Sequence, residues 1–115
     1  MVEKKSLKPI PPTLRGKKRY VKFSLISNAK FNLAEVRNEI WFVFGRIFGE
    51  KGIAEQKLWL VNWDGSSNSG IIRCSLEKVE EVKGGLLFLQ EISRKKVIPV
   101  IEGVSGSVKK LKERN

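Results

Sequence analysis

The chain is predicted to be an α+β domain in which one antiparallel four-stranded sheet carries two helices on a single face. Three observations carry that prediction. Apolar and polar residues alternate from Arg19 to Leu25, the period of a strand with one buried face, and Gln56 to Asp64 reads as a further strand. Apolar residues recur at three- and four-residue spacing in two other segments, one opening near Leu33 and one near Val79. The resulting order is strand, helix, strand, strand, helix, strand, which two split right-handed βαβ units assemble into such a sandwich.

Taken in order, residues 1–18 read as an arm. Pro9, Pro11 and Pro12 exclude helix and favour extended backbone, and five lysines and an arginine leave too few apolar residues for a core. Such a segment is either a disordered terminus or one that orders on a polyanion such as RNA. The remaining residues, 19–115, form a single domain with one modest core.

In the first strand Val21, Phe23 and Leu25 face inward and Tyr20, Lys22 and Ser24 outward. Asn32 then opens a helix, with Glu35 three residues on to complete a capping box, and Gly49 and Gly52 close it. Ile40 to Phe48 holds seven apolar residues in nine, spread round the cylinder. A small core absorbs one stripe, so Trp41, Phe42 and Phe48 are expected to face outward as a protein interface, unless the core is deeper than one stripe.

The second strand places Trp59, Val61 and Trp63 on one face and Leu58, Leu60 and Asn62 on the other. The Gly/Ser/Asn loop 65–69 turns it into the third strand, Ser69 to Ser75. There Ile72 and Cys74 share the core face, and Ile71, Arg73 and Ser75 take the other. Arg73 is then either a half-exposed edge charge or a cation aimed at an anion. Ser75 is positioned to cap the second helix, with Glu77 in its first turn and Val79, Val82, Leu86 and Leu89 as its buried stripe. Gly84-Gly85 within it implies a kink or a close backbone approach. Lys96 to Glu102 is the last strand, confined by Pro99 to a sheet edge. Together these elements make a ferredoxin-like (RRM-like) βαββαβ sandwich, its open face lined by Tyr20, Lys22, Asn62, Ile71 and Arg73. Ser105 or Ser107 then caps a short C-terminal helix with Lys109, Lys110 and Lys112 behind it, a candidate anion site.

The formal charge of +11 is concentrated at the ends. Residues 1–19 carry seven basic side chains against one acidic, and residues 103–115 four against one, while the 83 residues between are nearly balanced, at 12 basic to 10 acidic. That asymmetry suits basic extremities gripping a polyanion around a near-neutral globule. The longest apolar run, Ile40 to Phe44, is too short to span a membrane, and no apolar segment follows the basic N-terminus as in a secretory signal. The one cysteine, Cys74, has no disulfide partner and reads as a small core residue.

With no histidine in the chain, imidazole-based triads, most zinc sites and imidazole pH switching are excluded. Asp64 is the only aspartate and the glutamates are scattered, so no carboxylate pair suits acid–base or two-metal chemistry. Neither phosphate-loop glycine motif occurs. Base stacking by the sheet is not expected either, because Arg73 and isoleucines occupy the strand where RNA-recognition motifs carry aromatics. The residues describe a noncatalytic binding module that contacts phosphate and sugar.

Three blocks, in order, carry a resemblance: Pro11-Pro12-Thr13-Leu14-Arg15-Gly16-Lys17-Lys18-Arg19-Tyr20, Gly70-Ile71-Ile72-Arg73-Cys74, and Gly103-Val104-Ser105-Gly106-Ser107-Val108-Lys109-Lys110-Leu111-Lys112. Over about residues 9–114 the chain resembles the small ferredoxin-like protein subunit of archaeal and eukaryotic ribonuclease P. The resemblance implies a cytoplasmic archaeal ribonucleoprotein that removes 5′ leaders from precursor tRNA. In it the RNA subunit holds Mg2+ and performs the hydrolysis, and this chain binds no cofactor and holds no metal. It further implies pairing with a TIM-barrel-like protein subunit, often as a dimer of such heterodimers. Arg15, Lys17, Lys18, Arg19, Arg73, Ser105, Lys109, Lys110 and Lys112 are then the expected RNA-binding residues. Relatives of this kind often run on past the Lys-rich block, whereas this sequence stops at Asn115. Two other classes compete. A small basic ribosomal protein would share the charged ends. A ferredoxin-like enzyme such as an acylphosphatase would need a phosphate-binding loop before the first helix, where none is found.

Overall fold

The computed structural model describes residues 17–112. Its elements are β1 (Lys18–Ile26), α1 (Leu33–Gln56), β2 (Trp59–Asp64), β3 (Ser69–Ser75), α2 (Val79–Leu86), β4 (Glu91–Ile92), β5 (Lys95–Lys96), β6 (Ile98–Ser105) and α3 (Val108–Lys112). The sheet runs β2-β3-β1-β6 with every neighbouring pair antiparallel. This is the ferredoxin-like order, with β1 and β3 central and Pro99 on the edge strand β6, where its missing N–H costs no ladder bond.

The core lies between the sheet and the two long helices. Val21, Phe23, Leu25, Leu60, Ile72 and Cys74 from the sheet meet Val36, Ile40, Phe44, Val82 and Leu86 from α1 and α2. Asn32 caps α1 as its sequence predicts: its Oδ1 accepts from the Glu35 N–H at 2.9 Å and Glu35 Oε1 accepts from the Asn32 N–H at 3.0 Å. The helix does not end at the glycines. Gly49 adopts φ 73°, which only glycine takes cheaply, and the chain turns there and continues helical to Gln56. This longer helix absorbs more of its apolar surface than one stripe would. Trp41 and Phe48 are half-buried against the core, and of the three expected outward aromatics only Phe42, 58% exposed, stands clear.

Two departures from period two reshape the sheet. A bulge between Leu60 and Asn62 pairs Trp59 with Arg73 and Trp63 with Gly70. The two tryptophans therefore take opposite faces, although uninterrupted alternation would give them the same one. Trp63 turns inward, its ring centroid 6.1 Å from that of Phe23 and its Nε1–H donating to the Phe31 carbonyl at 2.8 Å. A second bulge, where β6 passes Lys22 and Phe23, carries β6 on to Ser105, past the expected end at Glu102.

Ser75 does not cap a helix. Its hydroxyl donates to the Glu55 carbonyl at 3.1 Å, and a single 3-10 turn, Leu76–Lys78, leads into α2. Leu89 is buried beyond the helix end. The β4–β5 hairpin has no signature in the sequence, because its turn residues Ser93 and Arg94 take φ of 53° and 67° without the glycine or asparagine that usually marks such a turn.

The face away from α1 and α2 is not fully open, contrary to expectation. Lys22 and Ile71, paired across β1 and β3, are both buried. Ile71 and Leu111 are the only buried apolar residues, among those described, outside the main core. The helix α3 contacts β1 and β6, and its Leu111 is fully buried outside the main core. Among the described residues no helix is long and apolar enough to cross a membrane.

Candidate nucleic-acid interface

The topology gathers the basic segments at one end of the sheet. Here β1 begins, β3 and β6 end and α3 starts: Lys18 pairs with Ser75, Arg19 with Cys74, and Tyr20 with both Arg73 and Ser105. The Lys17 carbonyl accepts from the Leu76 N–H at 3.0 Å, so the chain entering β1 is fastened to the chain leaving β3. Lys18, counted with the arm, is already the first residue of the sheet.

Arg19 is half-buried, its Nη1 donating to the Lys18 carbonyl at 2.9 Å. It lies close beside Gly106, where an added Cβ would stand 3.4 Å from the same Nη1. The Ser105 hydroxyl accepts from the Ser107 N–H at 3.1 Å and shapes the turn into α3. Lys17, Lys109 and Lys110 are exposed. Arg15 lies outside the described residues, as does the side chain of Lys112. With only five residues, α3 has little dipole of its own, so side-chain cations dominate this end.

Arg73 sits on a central strand, which removes the edge-charge explanation. It is half-buried, and its Nε is buried with no hydrogen-bond partner among the described residues. On the same face a lateral row crosses all four strands: Trp59, Arg73, Tyr20 and Ser105. Trp59 is 57% exposed. The apolar–polar alternation could not place it, because the bulge that turns it outward leaves no mark in the periodicity. Of the carboxylates on this face, Asp64 lies at the other end and Glu102 at the bulge midway along β6. Asp64 pairs opposite Ser69 and accepts from Ser66 N–H and Oγ, and Glu102 accepts from the Ser24 hydroxyl at 2.8 Å. The hydrogen bonds from Ser66 hold the Asp64 carboxyl below its ordinary range.

A second feature lies on α1. Phe42, Val43, Ile47 and Phe88, with Glu39 and Glu91, line a groove of about 430 Å3. The Arg46 guanidinium lies over the Phe42 ring at 5.6 Å. Phe88 and Leu87, exposed beyond the end of α2, belong to the same apolar exposure and escape sequence reasoning because they fall outside any helical stripe.

Burial pushes the Cys74 thiol up to about 11, far from a thiolate at neutral pH. No three of His, Cys, Asp or Glu converge as metal ligands among the described residues. The basic end can neutralise phosphates and hold them in register, and the groove can bury apolar groups of a protein.

Comparison with known proteins gives concordant matches. The family model described as the Rpp14/Pop5 family matches residues 19–115. The chain is 42% identical to Ribonuclease P protein component 2 of Pyrococcus furiosus, over 93% of this chain and 89% of that one. It is 40% identical to the Pyrococcus abyssi protein of the same name, over 94% of this chain and 92% of the other. With Ribonuclease P protein component 2 of Methanocaldococcus jannaschii the identity is 37%, over 92% of this chain and 78% of that one. Among solved structures, a chain in the cryo-EM structure of yeast Ribonuclease MRP superposes with a TM-score of 0.63 at 13% identity, covering 85% of this chain and 90% of that one. That last likeness bears on the fold alone.

Proposed function

Because the chain belongs to the Rpp14/Pop5 family, we propose that it serves as a protein subunit of ribonuclease P, the ribonucleoprotein that removes 5′ leaders from precursor tRNA. The observation that carries this is near-full-length identity to relatives named Ribonuclease P protein component 2. The structure supports the RNA-facing part of the reading. Cations at opposite ends of the sequence, Lys17, Lys18 and Arg19 with Lys109 and Lys110, meet at one end of the sheet beside Arg73 and Ser105.

In this reading the chain contributes positioning rather than chemistry. Arg15, Lys17, Lys18, Arg19, Arg73, Lys109, Lys110 and Lys112 neutralise phosphates near the catalytic centre of the RNA, which holds the Mg2+ and cleaves the bond. Ser105 shapes the turn that presents the tail lysines. The groove at Phe42 and Phe88 receives protein, either the TIM-barrel-like subunit or a second copy within a dimer of heterodimers. The particle works in the cytoplasm.

The test is reconstitution. This chain, its TIM-barrel-like partner and the cognate RNA are combined at limiting magnesium, and 5′-leader removal from a precursor tRNA is followed. Stimulation over the RNA alone is expected. If adding the chain changes neither the rate nor the magnesium requirement, the assignment is wrong.

A further inference from the structure

The bulge in β2 puts an indole where a plain strand would have hidden it. Trp59 is 57% exposed and stands directly opposite Arg73, which stands opposite Tyr20 on its other side. Adjacent strands lie about 4.8 Å apart, so the two aromatic residues are roughly 10 Å apart at the backbone with one guanidinium between them. Lys57, exposed at the end of α1, precedes Trp59 by two residues, and Lys17, Lys18 and Arg19 enter beside Tyr20. An indole exposed among cations suits an anionic ligand with a flat face. The groove at Phe42, flanked by Glu39 and Glu91, has the opposite character.

We propose that Trp59 and Tyr20, on either side of Arg73, form a stacking platform for unpaired RNA bases, with Arg73 and the neighbouring lysines holding the flanking phosphates. This rests on the RNA-facing role proposed above and adds a ligand subsite to it. Stacking explains why a large ring is left in water on a strand that could have buried it. The half-buried Arg73 guanidinium, set between the two aromatic residues, gives the site a charged donor for a phosphate or base oxygen. Such a platform tolerates any sequence, because every base has a π-face, and it requires single-stranded RNA.

The experiment compares binding of the full chain to a short unstructured oligoribonucleotide and to an abasic ribose–phosphate strand of the same length. The wild type is expected to favour the base-carrying strand, and Trp59→Ala to weaken that strand by roughly tenfold while leaving abasic binding and the salt slope unchanged. Trp59→Phe should retain most of the preference, which separates loss of stacking from loss of fold. The platform is overturned if the wild type shows no preference, if Trp59→Ala binds both strands as the wild type does, or if it weakens both equally. It is also overturned, in favour of a protein contact, if Trp59→Ala keeps its RNA affinity but no longer binds the TIM-barrel-like subunit. In each of these cases stimulated leader removal by the wild type would still support the subunit assignment, which falls only if that stimulation is missing.

Discussion

Gly85 of α2 lies flat against the ring of Phe44 in α1: a Cβ added there would stand 2.6 Å from Cζ and 2.9 Å from Cε2. Phe44 is fully buried and cannot swing away, so so close an approach is open only to glycine. Gly84, its neighbour, would place a Cβ in open space. The two glycines should therefore respond oppositely. Gly84→Ala is expected to stabilise by roughly 0.5–1 kcal/mol through helix propensity. Gly85→Ala is expected to destabilise by about 1–3 kcal/mol through overpacking. Denaturant midpoints decide it, and shifts of the same sign would contradict the close approach.

Asn68 should be the most sensitive polar residue. Buried at the turn between β2 and β3, it adopts φ 53°, accepts from Phe31 N–H through Oδ1 at 3.3 Å and donates to the Ala29 carbonyl at 2.7 Å. Its own carbonyl accepts from Leu25 N–H at 2.8 Å, so one residue ties the turn to the end of β1 and the entry to α1. Asn68→Ala removes two hydrogen bonds and puts a Cβ-bearing residue without local bonding in left-handed backbone, a cost of about 3 kcal/mol. Asn68→Gly should recover the backbone part only. Equal destabilisation in the two variants would mean that φ is not a factor.

Acid should loosen the entry to α1. Its capping bond with Asn32, the Ser93 hydroxyl and Lys95 hold the Glu35 carboxyl below its ordinary range. A folded-state value below the unfolded one means that the unfolded chain binds more protons across that interval. The stabilisation is thus present above the unfolded carboxyl range, near pH 4.3, and is lost as pH falls through the lower folded value. Glu35→Gln, which can still complete the capping box, should show a flatter stability profile below about pH 4.5. A wild-type-like acid slope in that variant would assign the effect to other carboxylates.

The capping box, the strand order and the edge position of β6 were legible because each is set by local residue chemistry: Asn32 with Glu35, the period-two runs, Pro99. What escaped was set by single residues inserted against the pattern. Val61 at a bulge exchanges the faces of its neighbours, Gly49 bends a helix without ending it, and Ser93-Arg94 make a hairpin turn from unmarked residues. The candidate site followed the same rule. Its cations could be counted along the chain, but their convergence depends on β1 beginning where β3 and β6 end, and Trp59 joins them only through the bulge.

Phe42 and Phe88 should matter for assembly and not for folding. Both are exposed on the groove beside α1, whereas Trp41 and Phe48 are half-buried against the core. Phe42→Glu is expected to leave the melting temperature near wild type and to weaken association with the protein partner by about 2 kcal/mol or more, the scale of a central aromatic anchor. Size-exclusion or titration calorimetry with the TIM-barrel-like subunit, and of the chain alone, reads both possible occupants. Unchanged association in both would remove the groove from the assembly.

The tail lysines can be tested for placement as well as charge. Every phosphate deprived of its lysine should lower the slope of log affinity against log salt by about 0.7–0.9, so Lys109→Ala, Lys110→Ala and Lys112→Ala together should lower it by roughly 2–3. In the proposed interface these lysines are presented by α3 seated on the sheet, and Leu111, fully buried outside the main core, is the residue expected to seat it. Leu111→Ala keeps every cation yet leaves a cavity beneath α3, with an expected cost of about 2–5 kcal/mol that includes local release of the helix. It should therefore weaken RNA binding with all charges present and reduce the slope toward that of the triple variant. If Leu111→Ala instead binds RNA with the wild-type affinity and slope, the tail acts as a free polycation, and its docking beside Lys18, Arg19 and Arg73 has no part in recognition.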